Sequence, residues 1–377
     1  MGEHTDYNDG YVLPFALGQN IAAAAARRTG RRLALCSRQQ PTAAVEIALD
    51  GLAPGQVTGW AAYPAGVAWE LEQAGYQVPG ARIAIDSDVP AGAGLSSSAA
   101  LECATALALT ELAGLDVPRP ELAAIARRAE NEFVGVPSGI MDQSASLLCQ
   151  PGHALLLDCR SLESSQVPFD PAAAGAGLLL INTRAKHDLS DGEYGRRRAE
   201  CEEAARRLGI PSLRSLTNLA DVDRLTDPVL RRRARHVVAD NQRVLDVVGL
   251  LNSPSPGSGQ HGLADTHRDI GRLLTQSHLS LRDDFEVSWP EADATVEAAL
   301  AAGAFGARMI GGGFGGSVLA LVPAAFGGPV RDAVTGAFAQ RSWTAPEFLD
   351  AAPSDSAHRV ALQLVGLRPT GGSSAGA

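Results

Sequence analysis

Residues 90–98 read Pro-Ala-Gly-Ala-Gly-Leu-Ser-Ser-Ser and join a predicted strand, which ends near Asp88, to an apolar helix that starts at Ala99. Glycines let the backbone approach an anion closely, and the N–H groups of a helix N-terminus then point at it. The serines supply an N-cap and hydroxyl groups for phosphate or Mg²⁺. Ser97 stands where a dinucleotide fingerprint needs glycine, which argues against a Rossmann site. We predict a phosphate loop; the alternative is an ordinary glycine-rich turn with a serine cap.

A second glycine-rich loop lies near the C-terminal end. Residues 309–317 read Met-Ile-Gly-Gly-Gly-Phe-Gly-Gly-Ser and precede the predicted strand Val318 to Val322. Five glycines in six positions indicate a backbone that is packed against something that tolerates no side chain. A structural turn alone rarely needs so many, so the pattern favours a loop that faces substrate or phosphate.

The chain starts with a dense group of polar side chains, because residues 2–8 read Gly-Glu-His-Thr-Asp-Tyr-Asn. Glu3 and Asp6 can accept bidentate hydrogen bonds, and the residues around them can donate or accept. Such a set suits the hydroxyl groups of a sugar. On spacing alone, a solvated polar N-terminus explains the stretch equally well.

One aspartate and one glutamate stand out in the middle of the first half. Asp142 lies in a turn rich in glycine and proline, residues 135–143, with apolar neighbours that could hold a carboxylate in a partly desolvated cleft. Such a carboxylate could take a proton from a substrate hydroxyl, and Glu130 could ligate Mg²⁺. The alternative for Asp142 is a simple turn former, which is the commoner role of an aspartate in a loop.

Composition limits the class of protein. The 377 residues, 45% of them apolar, suffice for about two domains with full cores. No apolar run reaches the ~18 residues of a membrane span, and no secretory signal is visible. The net charge of −10 disfavours nucleic acid and anionic lipid as partners. Lys186 is the only lysine, which rules out a Walker-type loop, and five cysteines without a Cys-x-x-Cys pair indicate free thiols in a reducing cytoplasm.

Strands and helices mix without a regular βαβ period, which favours an α+β fold. Predicted strands are a pair within 31–50 and the segments 82–86, 153–158 and 178–182. Predicted helices are 64–74, 101–115, 121–132, the arginine- and glutamate-rich region 190–250, helices ending near 288, and 291–302. We interpret the arginine triplets 196–198 and 231–233 as solvated helix faces, 253–262 as a loop and 369–377 as a disordered tail.

Together, these segments resemble the three signature motifs of the GHMP small-molecule kinases, and specifically those of the galactokinase family. Residues 2–8 resemble the sugar signature of that family, 92–98 its ATP phosphate loop and 309–316 its third motif. The likeness continues through 137–143, 153–160, Lys186-His187 with Glu193-Tyr194, and 280–288, so it covers nearly the whole chain. Mevalonate and homoserine kinases share the glycine loops but not the sugar signature.

The resemblance implies MgATP-dependent phosphorylation of the C1 hydroxyl of α-D-galactose to galactose 1-phosphate. It implies a two-domain kinase in which residues 1–172 form a ribosomal-protein-S5-domain-2-like domain and residues 173–368 a ferredoxin-like domain. The active site is expected in the cleft between them. The implied partners are galactose and ATP, without nucleic acid or membrane, and we expect a cytoplasmic monomer.

The family's functional residues can be carried over onto matching positions. The resemblance implies that Asp142 activates the sugar hydroxyl, that Ser98 and Glu130 hold Mg²⁺, and that two further groups bind the substrates. The sugar-binding group is Glu3, His4, Thr5, Asp6, Gly139 and Tyr194, and the ATP-binding group is Gly92, Ala93, Gly94, Leu95, Ser96, Ser97 and Ser98.

Alternative functions remain open at this stage. A kinase for a related sugar, N-acetylgalactosamine or L-arabinose, would share these motifs. A non-catalytic galactose sensor is a different class, and such relatives lose residues in the serine loop, which is complete here from Ser96 to Ala100. A truncated, inactive kinase is the third alternative.

The family's signature continues upstream of the sugar-binding residues through Pro-Gly-Arg-x-Asn, preceded by a strand. In the family, that arginine keeps the catalytic aspartate ionised and stabilises the transition state, and here Met1 stands in the place of an apolar residue that follows it. Either the start codon is assigned too far downstream or the protein is shortened; the undamaged motifs favour the first. We expect the in-frame DNA upstream of Met1 to encode the missing motif, the extended form to be active, and the chain as written to be weakly active or inactive. A stop codon immediately upstream would contradict the first explanation.

Overall fold

The computed structural model describes residues 1–90, 92–185, 190–253 and 260–360 and combines helices with antiparallel and mixed sheets, as the predicted α+β class requires. The described strands are β1 Tyr11–Val12, β2 Ile21–Arg27, β3 Arg32–Ser37, β4 Gln40–Ala48, β5 Ala81–Ser87, β6 His153–Asp158, β7 Ser164–Pro168, β8 Ala176–Asn182, β9 Gly306–Met309, β10 Ser317–Pro323 and β11 Glu347–Ala351. The described helices are α1 Ala62–Gln73, α2 Ser97–Ala113, α3 Arg119–Arg128, α4 Met141–Leu148, α5 Ser190–Leu208, α6 Pro228–Asn252, α7 Gln260–Asp283, α8 Pro290–Ala301 and α9 Gly327–Gln340.

The N-terminal sheet has the strand order β2-β5-β3-β4, and β3 pairs with β4 as the alternation within 31–50 predicts. Leu33, Leu35, Ile83 and Ile85 point to one face and pack against α1, α2 and α3 to form the N-terminal core. Strand β2 was not predicted, because its run of alanines shows no contrast between apolar and polar positions.

The C-terminal sheet has the order β11-β8-β10-β9, with every pair antiparallel. Strand β8 is buried on both faces, which explains its continuous apolar run. Leu179 and Ile181 pack into a C-terminal core with residues of α5 to α9, whereas Leu178 and Leu180 pack into a central core with Leu13. That central core also contains residues of β6 and β7, so it connects these two strands to the C-terminal sheet.

A small third sheet, β1-β6-β7, lies beside the central core. Tyr11 and Val12 of β1 pair with Asp158 and Leu157 of β6, and Val12 is fully buried. This pairing anchors the chain immediately after residues 2–8. The sheet therefore fixes where the polar N-terminal stretch enters the molecule.

The predicted helix 121–132 is α-helical only as far as Arg128. Helix α3 ends at Arg128 and a π-helical turn, Ala129–Val134, follows it. π-turns are rare and occur frequently at functional sites. This one carries Glu130 on its buried side.

The prediction of one long helical region over 190–250 needs two corrections. Helices α5 and α6 are separated by Gly209 to Asp227, which hold short 3-10 turns. Arg197 and Arg233, interpreted as solvated, are buried. Their guanidinium groups donate hydrogen bonds of 2.6 to 3.0 Å to backbone carbonyls of Asp284, Phe285 and Glu286, so they fix that turn.

Other expectations concern residues outside the described ranges: the tail 369–377, residues 254–259 of the predicted loop 253–262, and Lys186-His187. Residues 260–262 were predicted as part of that loop and instead form the start of α7. All five cysteines carry free thiols. None of the helices in the described ranges is long and apolar enough to cross a membrane.

Candidate active site

The first glycine loop ends at the N-terminus of α2, which begins at Ser97. Gly92, Gly94 and Ser96 have φ angles of 71°, 66° and 53°, and such left-handed residues alternate with others along the loop. Alternation of this kind turns successive N–H groups toward one side and forms an anion-binding concavity. The loop is thus shaped for phosphate, with the positive end of the α2 dipole behind it.

The second glycine loop packs directly on the first. A Cβ atom at Gly311 would lie 2.9 Å from the Gly94 carbonyl oxygen, and one at Gly316 would lie 3.2 Å from that of Ala93. The Ser317 hydroxyl donates to the same Ala93 oxygen at 2.7 Å. Gly311 and Gly316 are therefore required by close contact with the first glycine loop, a partner that the sequence pattern did not reveal.

The polar stretch 2–8 is buried, so its interpretation as a solvated N-terminus is wrong. Thr5 has no exposed surface, and its hydroxyl lies 2.7 Å from the Gly2 carbonyl oxygen and 2.8 Å from that of Tyr11. The Asn8 amide donates to the His4 carbonyl oxygen at 2.8 Å. These internal bonds shape the turn that carries the neighbouring side chains.

Glu3 forms a buried ion pair with Arg308 of β9, and Arg308 is only 1% exposed. His236 of α6 reaches the Glu3 carbonyl oxygen with Nε2 at 3.1 Å. Neither Arg308 nor His236 was singled out from the sequence. One signal for Arg308 was available, because it is the only charged residue of the four-residue strand β9. An unpaired charge is very costly in a buried strand, so an arginine there indicates an acidic partner.

His4 is held by hydrogen bonds at both ring nitrogens. Its Nε2 lies 3.1 Å from the Gly312 carbonyl oxygen, and its Nδ1 lies 2.8 Å from the Tyr7 hydroxyl. A carbonyl only accepts, so Nε2 carries the proton and Tyr7 donates to Nδ1. Burial lowers the pKa of His4 to about 3, which keeps the ring neutral at physiological pH. Its ring packs 4.7 Å from Phe285 and 5.1 Å from Tyr194, measured between centroids.

Asp6, Gly139 and Tyr194 meet in one place, although they are far apart in the sequence. Asp6 accepts hydrogen bonds from the backbone N–H groups of Tyr7 at 2.9 Å and Met141 at 3.4 Å. A Cβ atom on Gly139 would overlap the Asp6 carboxylate, and the Tyr194 hydroxyl hydrogen-bonds to the Gly139 backbone. Burial raises the pKa of Asp6 to about 6.

Asp142 lies in the first turn of α4, and the Ser96 side chain hydrogen-bonds to it. Burial is the main reason that its pKa rises to about 7, and the carboxylates of Asp6, Glu130 and Glu3 raise it further, while the Ser96 bond opposes the rise. Asp142 therefore links the sugar-signature stretch to the phosphate loop.

Glu130 and Ser98 are the two predicted Mg²⁺ ligands. Oε2 of Glu130 accepts from the Ser138 hydroxyl at 2.5 Å and from Nε2 of Gln143 at 2.9 Å. Ser98 lies in the first turn of α2, four residues before Glu102, whose carboxyl shares the same Gln143 amide. Among the described residues no cluster of three or more His, Cys, Asp or Glu side chains could hold a metal. Hard oxygen donors in small number fit Mg²⁺, which takes one or two protein carboxylates and completes its shell with phosphates and water.

Comparison with known proteins identifies the family to which this fold belongs. Residues 62–150 match the family model of the GHMP kinases N terminal domain, 263–343 that of the GHMP kinases C terminal, and 1–27 that of the galactokinase galactose-binding signature. The chain thus has the two-domain GHMP kinase fold, and the solved mevalonate kinase of Methanococcus jannaschii shares that fold (TM-score 0.63, 15% identity, 93% and 94% of the two chains covered).

Proteins similar in sequence and structure identify the family within the GHMP kinases. The chain is 50% identical to a galactokinase of Streptomyces coelicolor over 96% of its own length and 91% of the relative's, and 39% identical to one of Thermotoga maritima over 96% and 97%. The crystal structure of Lactococcus lactis galactokinase complexed with galactose superposes with a TM-score of 0.87 at 33% identity, covering 96% and 92% of the two chains. This protein belongs to the galactokinase family and is a sugar kinase, a transferase that uses ATP.

We predict that the buried ion pair between Glu3 and Arg308 dominates the local stability of the region around residues 2–8. Arg308→Ala leaves Glu3 buried without its partner, and breaking a buried pair typically costs about 3–5 kcal/mol. Urea unfolding should show this loss. Arg331→Ala is the matched control, because Arg331 pairs with the exposed Asp350, and such surface pairs contribute little. Equal, small losses for both variants would contradict the prediction.

Proposed function

We propose that the chain transfers the γ-phosphoryl group of MgATP to the C1 hydroxyl of α-D-galactose and forms galactose 1-phosphate. The observation that carries the proposal is the contact between Asp142 and Ser96, because it joins a candidate base to the phosphate loop. Asp6 of the sugar signature lies close enough to raise the pKa of Asp142. Sugar and nucleotide sites would therefore meet at this carboxylate.

On the sugar side, Glu3, His4, Asp6, Gly139 and Tyr194 would bind the substrate, with Thr5 shaping their turn. Asp6 is fixed by two backbone N–H groups yet keeps carboxylate lone pairs for sugar hydroxyls. The absence of a side chain at Gly139 gives Asp6 its place, and the neutral His4 adds no charge to the cleft.

On the nucleotide side, residues 92–98 would surround the phosphates with backbone N–H groups and serine hydroxyls. Ser98 and Glu130 would hold Mg²⁺. Bound there, the ion would neutralise charge on the phosphate oxygens. With no P-loop lysine in the chain, the helix N-terminus and these oxygen ligands would provide the compensation.

In the proposed reaction, Asp142 accepts the proton of the sugar hydroxyl as that oxygen attacks phosphorus. Phosphoryl transfer depends mainly on positioning and electrostatic stabilisation, so a correctly placed base and a fixed phosphate suffice for most of the protein's part. A pKa near 7 suits a base that works at neutral pH.

Three further points belong to the proposal. We assign residues 1–172 and 173–368 to the two kinase domains. We place the protein in the cytoplasm, for which its five free thiols are the support. We take the monomer as the working unit.

We predict that Asp142→Asn, made in the form extended upstream through the Pro-Gly-Arg-x-Asn motif, retains the fold and loses at least about 10²–10⁴-fold in turnover, the usual contribution of general-base catalysis. Product should be measured as galactose 1-phosphate, with N-acetylgalactosamine and L-arabinose as competing acceptors. Asp350→Asn, at an exposed position, is the control. Equal turnover of wild type and Asp142→Asn would contradict the role of Asp142, and preference for another sugar would contradict the substrate.

The pH profile checks the same role independently. Only ionised Asp142 accepts a proton, so kcat/KM for galactose should fall about tenfold per pH unit below about 7, with Asp6, at about 6, adding a second ionisation. Ser96→Ala removes the bond that favours the ionised form and should move the acid limb to higher pH. A flat profile down to pH 5 would contradict this account.

A further inference from the structure

We propose that Gln143 and Ser138 act as positioning residues that clamp one oxygen of Glu130, with Glu102 as the buried anchor of the clamp. The clamp would leave the other oxygen of Glu130 to the metal. This inference rests on the proposed function, because it assigns a purpose to residues around the proposed Mg²⁺ ligand. None of these three supporting residues would touch the sugar or the phosphates.

Gln143 has no exposed surface, and both of its bonded neighbours are carboxyl groups. Its Nε2 lies 2.9 Å from Oε2 of Glu130 and 3.1 Å from Oε2 of Glu102. An amide nitrogen carries two N–H groups, so both are used, one on each carboxyl. The side chain therefore bridges α4, α2 and the π-helical turn, three elements that each bring one group to the cleft.

The carboxylate of Glu130 uses a single oxygen for the hydrogen bonds that it makes within the described residues. The Ser138 hydroxyl and Gln143 Nε2 both donate to Oε2. Ser138 lies just before α4, and Gln143 lies in the first turn of that helix. Two donors on one oxygen fix the rotation of the carboxylate about its terminal bond. The second oxygen is then presented in one direction, as a metal ligand requires.

Glu102 is suited to be an anchor rather than a ligand. It has no exposed surface, and its Oε1 has no partner within the described residues. Burial raises its pKa to about 10, and the nearby Glu130 charge adds to this, so the side chain is a neutral acid at physiological pH. A neutral anchor supports Gln143 without competing for the cation.

The clamp would also couple the position of the proposed metal ligand Glu130 to that of the proposed base Asp142. Gln143 follows Asp142 directly in the first turn of α4, so any shift of that turn moves both groups. The π-helical turn carries Glu130 and places it opposite Gln143. A conventional α-helical continuation would rotate residue 130 relative to the rest of α3 and break this match.

The test measures metal binding directly, besides activity. Mn²⁺ binding in the presence of a non-hydrolysable ATP analogue is followed by electron paramagnetic resonance, and Mg²⁺ dependence and the galactose KM are measured in parallel. Gln143→Met keeps the side-chain volume but removes both N–H groups. Gln166→Met is the matched control, because Gln166 donates to the Leu148 carbonyl oxygen at the end of the same helix. Within the described residues, neither the Oε1 of Gln166 nor that of Gln143 has a hydrogen-bond partner.

We expect Gln143→Met to weaken Mn²⁺ binding about 10–100-fold, the usual effect of removing a partner of a metal ligand, and to raise the Mg²⁺ requirement similarly. The galactose KM should change little, and Gln166→Met should change neither. Unaltered Mn²⁺ binding by a folded Gln143→Met, or equal losses of Mn²⁺ and galactose affinity, would overturn the proposal. If this variant does not fold, Ser138→Ala must weaken Mn²⁺ binding, and no change would overturn it.

The variant Glu102→Gln tests whether Glu102 only supports Gln143 or binds the metal itself. The amide oxygen at that position can still accept from Gln143, so Mn²⁺ binding should stay close to that of wild type. A loss as large as that of Glu130→Gln would make Glu102 a ligand and overturn its assignment. If wild type itself fails to bind Mn²⁺ with the nucleotide, the proposed function fails; if wild type binds and the variants match it, only the clamp fails.

Discussion

The structure depends on the burial of a short, very polar segment, residues 2–8, between the two halves of the chain. A buried polar group must find a partner inside the protein or cost several kcal/mol. Here Glu3 pairs with Arg308, the Glu3 carbonyl accepts from His236, and His4 donates to Gly312. These three partners come from α6, β9 and the second glycine loop, so satisfying one segment organises distant parts of the fold.

The second consequence is electrostatic. Asp6, Glu130 and Asp142 lie near one another in a partly desolvated cleft, and the pKa of Asp142 reflects all of them. Burial raises the pKa of both Asp6 and Asp142, so the cleft holds more negative charge than its own groups easily stabilise. Such a site is prepared for groups that bring positive charge, which in a kinase are the metal ion and the N-terminus of a helix. The excess of buried carboxylates is thus a product of the fold and also the feature on which the proposed chemistry depends.

Much of the site could be predicted from the sequence, because its groups lie in contiguous motifs with distinctive composition. The phosphate loop, Asp142 and the paired strands within 31–50 are local patterns of glycine, serine or alternation. Arg308, His236 and Gln143 could not be found in this way, since their roles arise only when distant elements meet. The same limit explains the wrong interpretation of Arg197 and Arg233: a triplet of arginines does not show which member faces inward. Strand β2 was not predicted, because its alanines do not form an alternating pattern of apolar and polar residues.

The central claim is that the sugar-signature segment is a fixed part of the unliganded protein rather than a strand of chain that orders on binding. Hydrogen exchange measured by mass spectrometry tests this most directly on a peptide covering residues 2–13. Amides of Thr5, Asn8 and Leu13 donate to Gly2, Thr5 and Met1 at 3.1, 3.0 and 2.8 Å, so the account predicts slow exchange without galactose, comparable to that of β8. Exchange as fast as that of an exposed loop, with protection gained only on adding galactose, would contradict it.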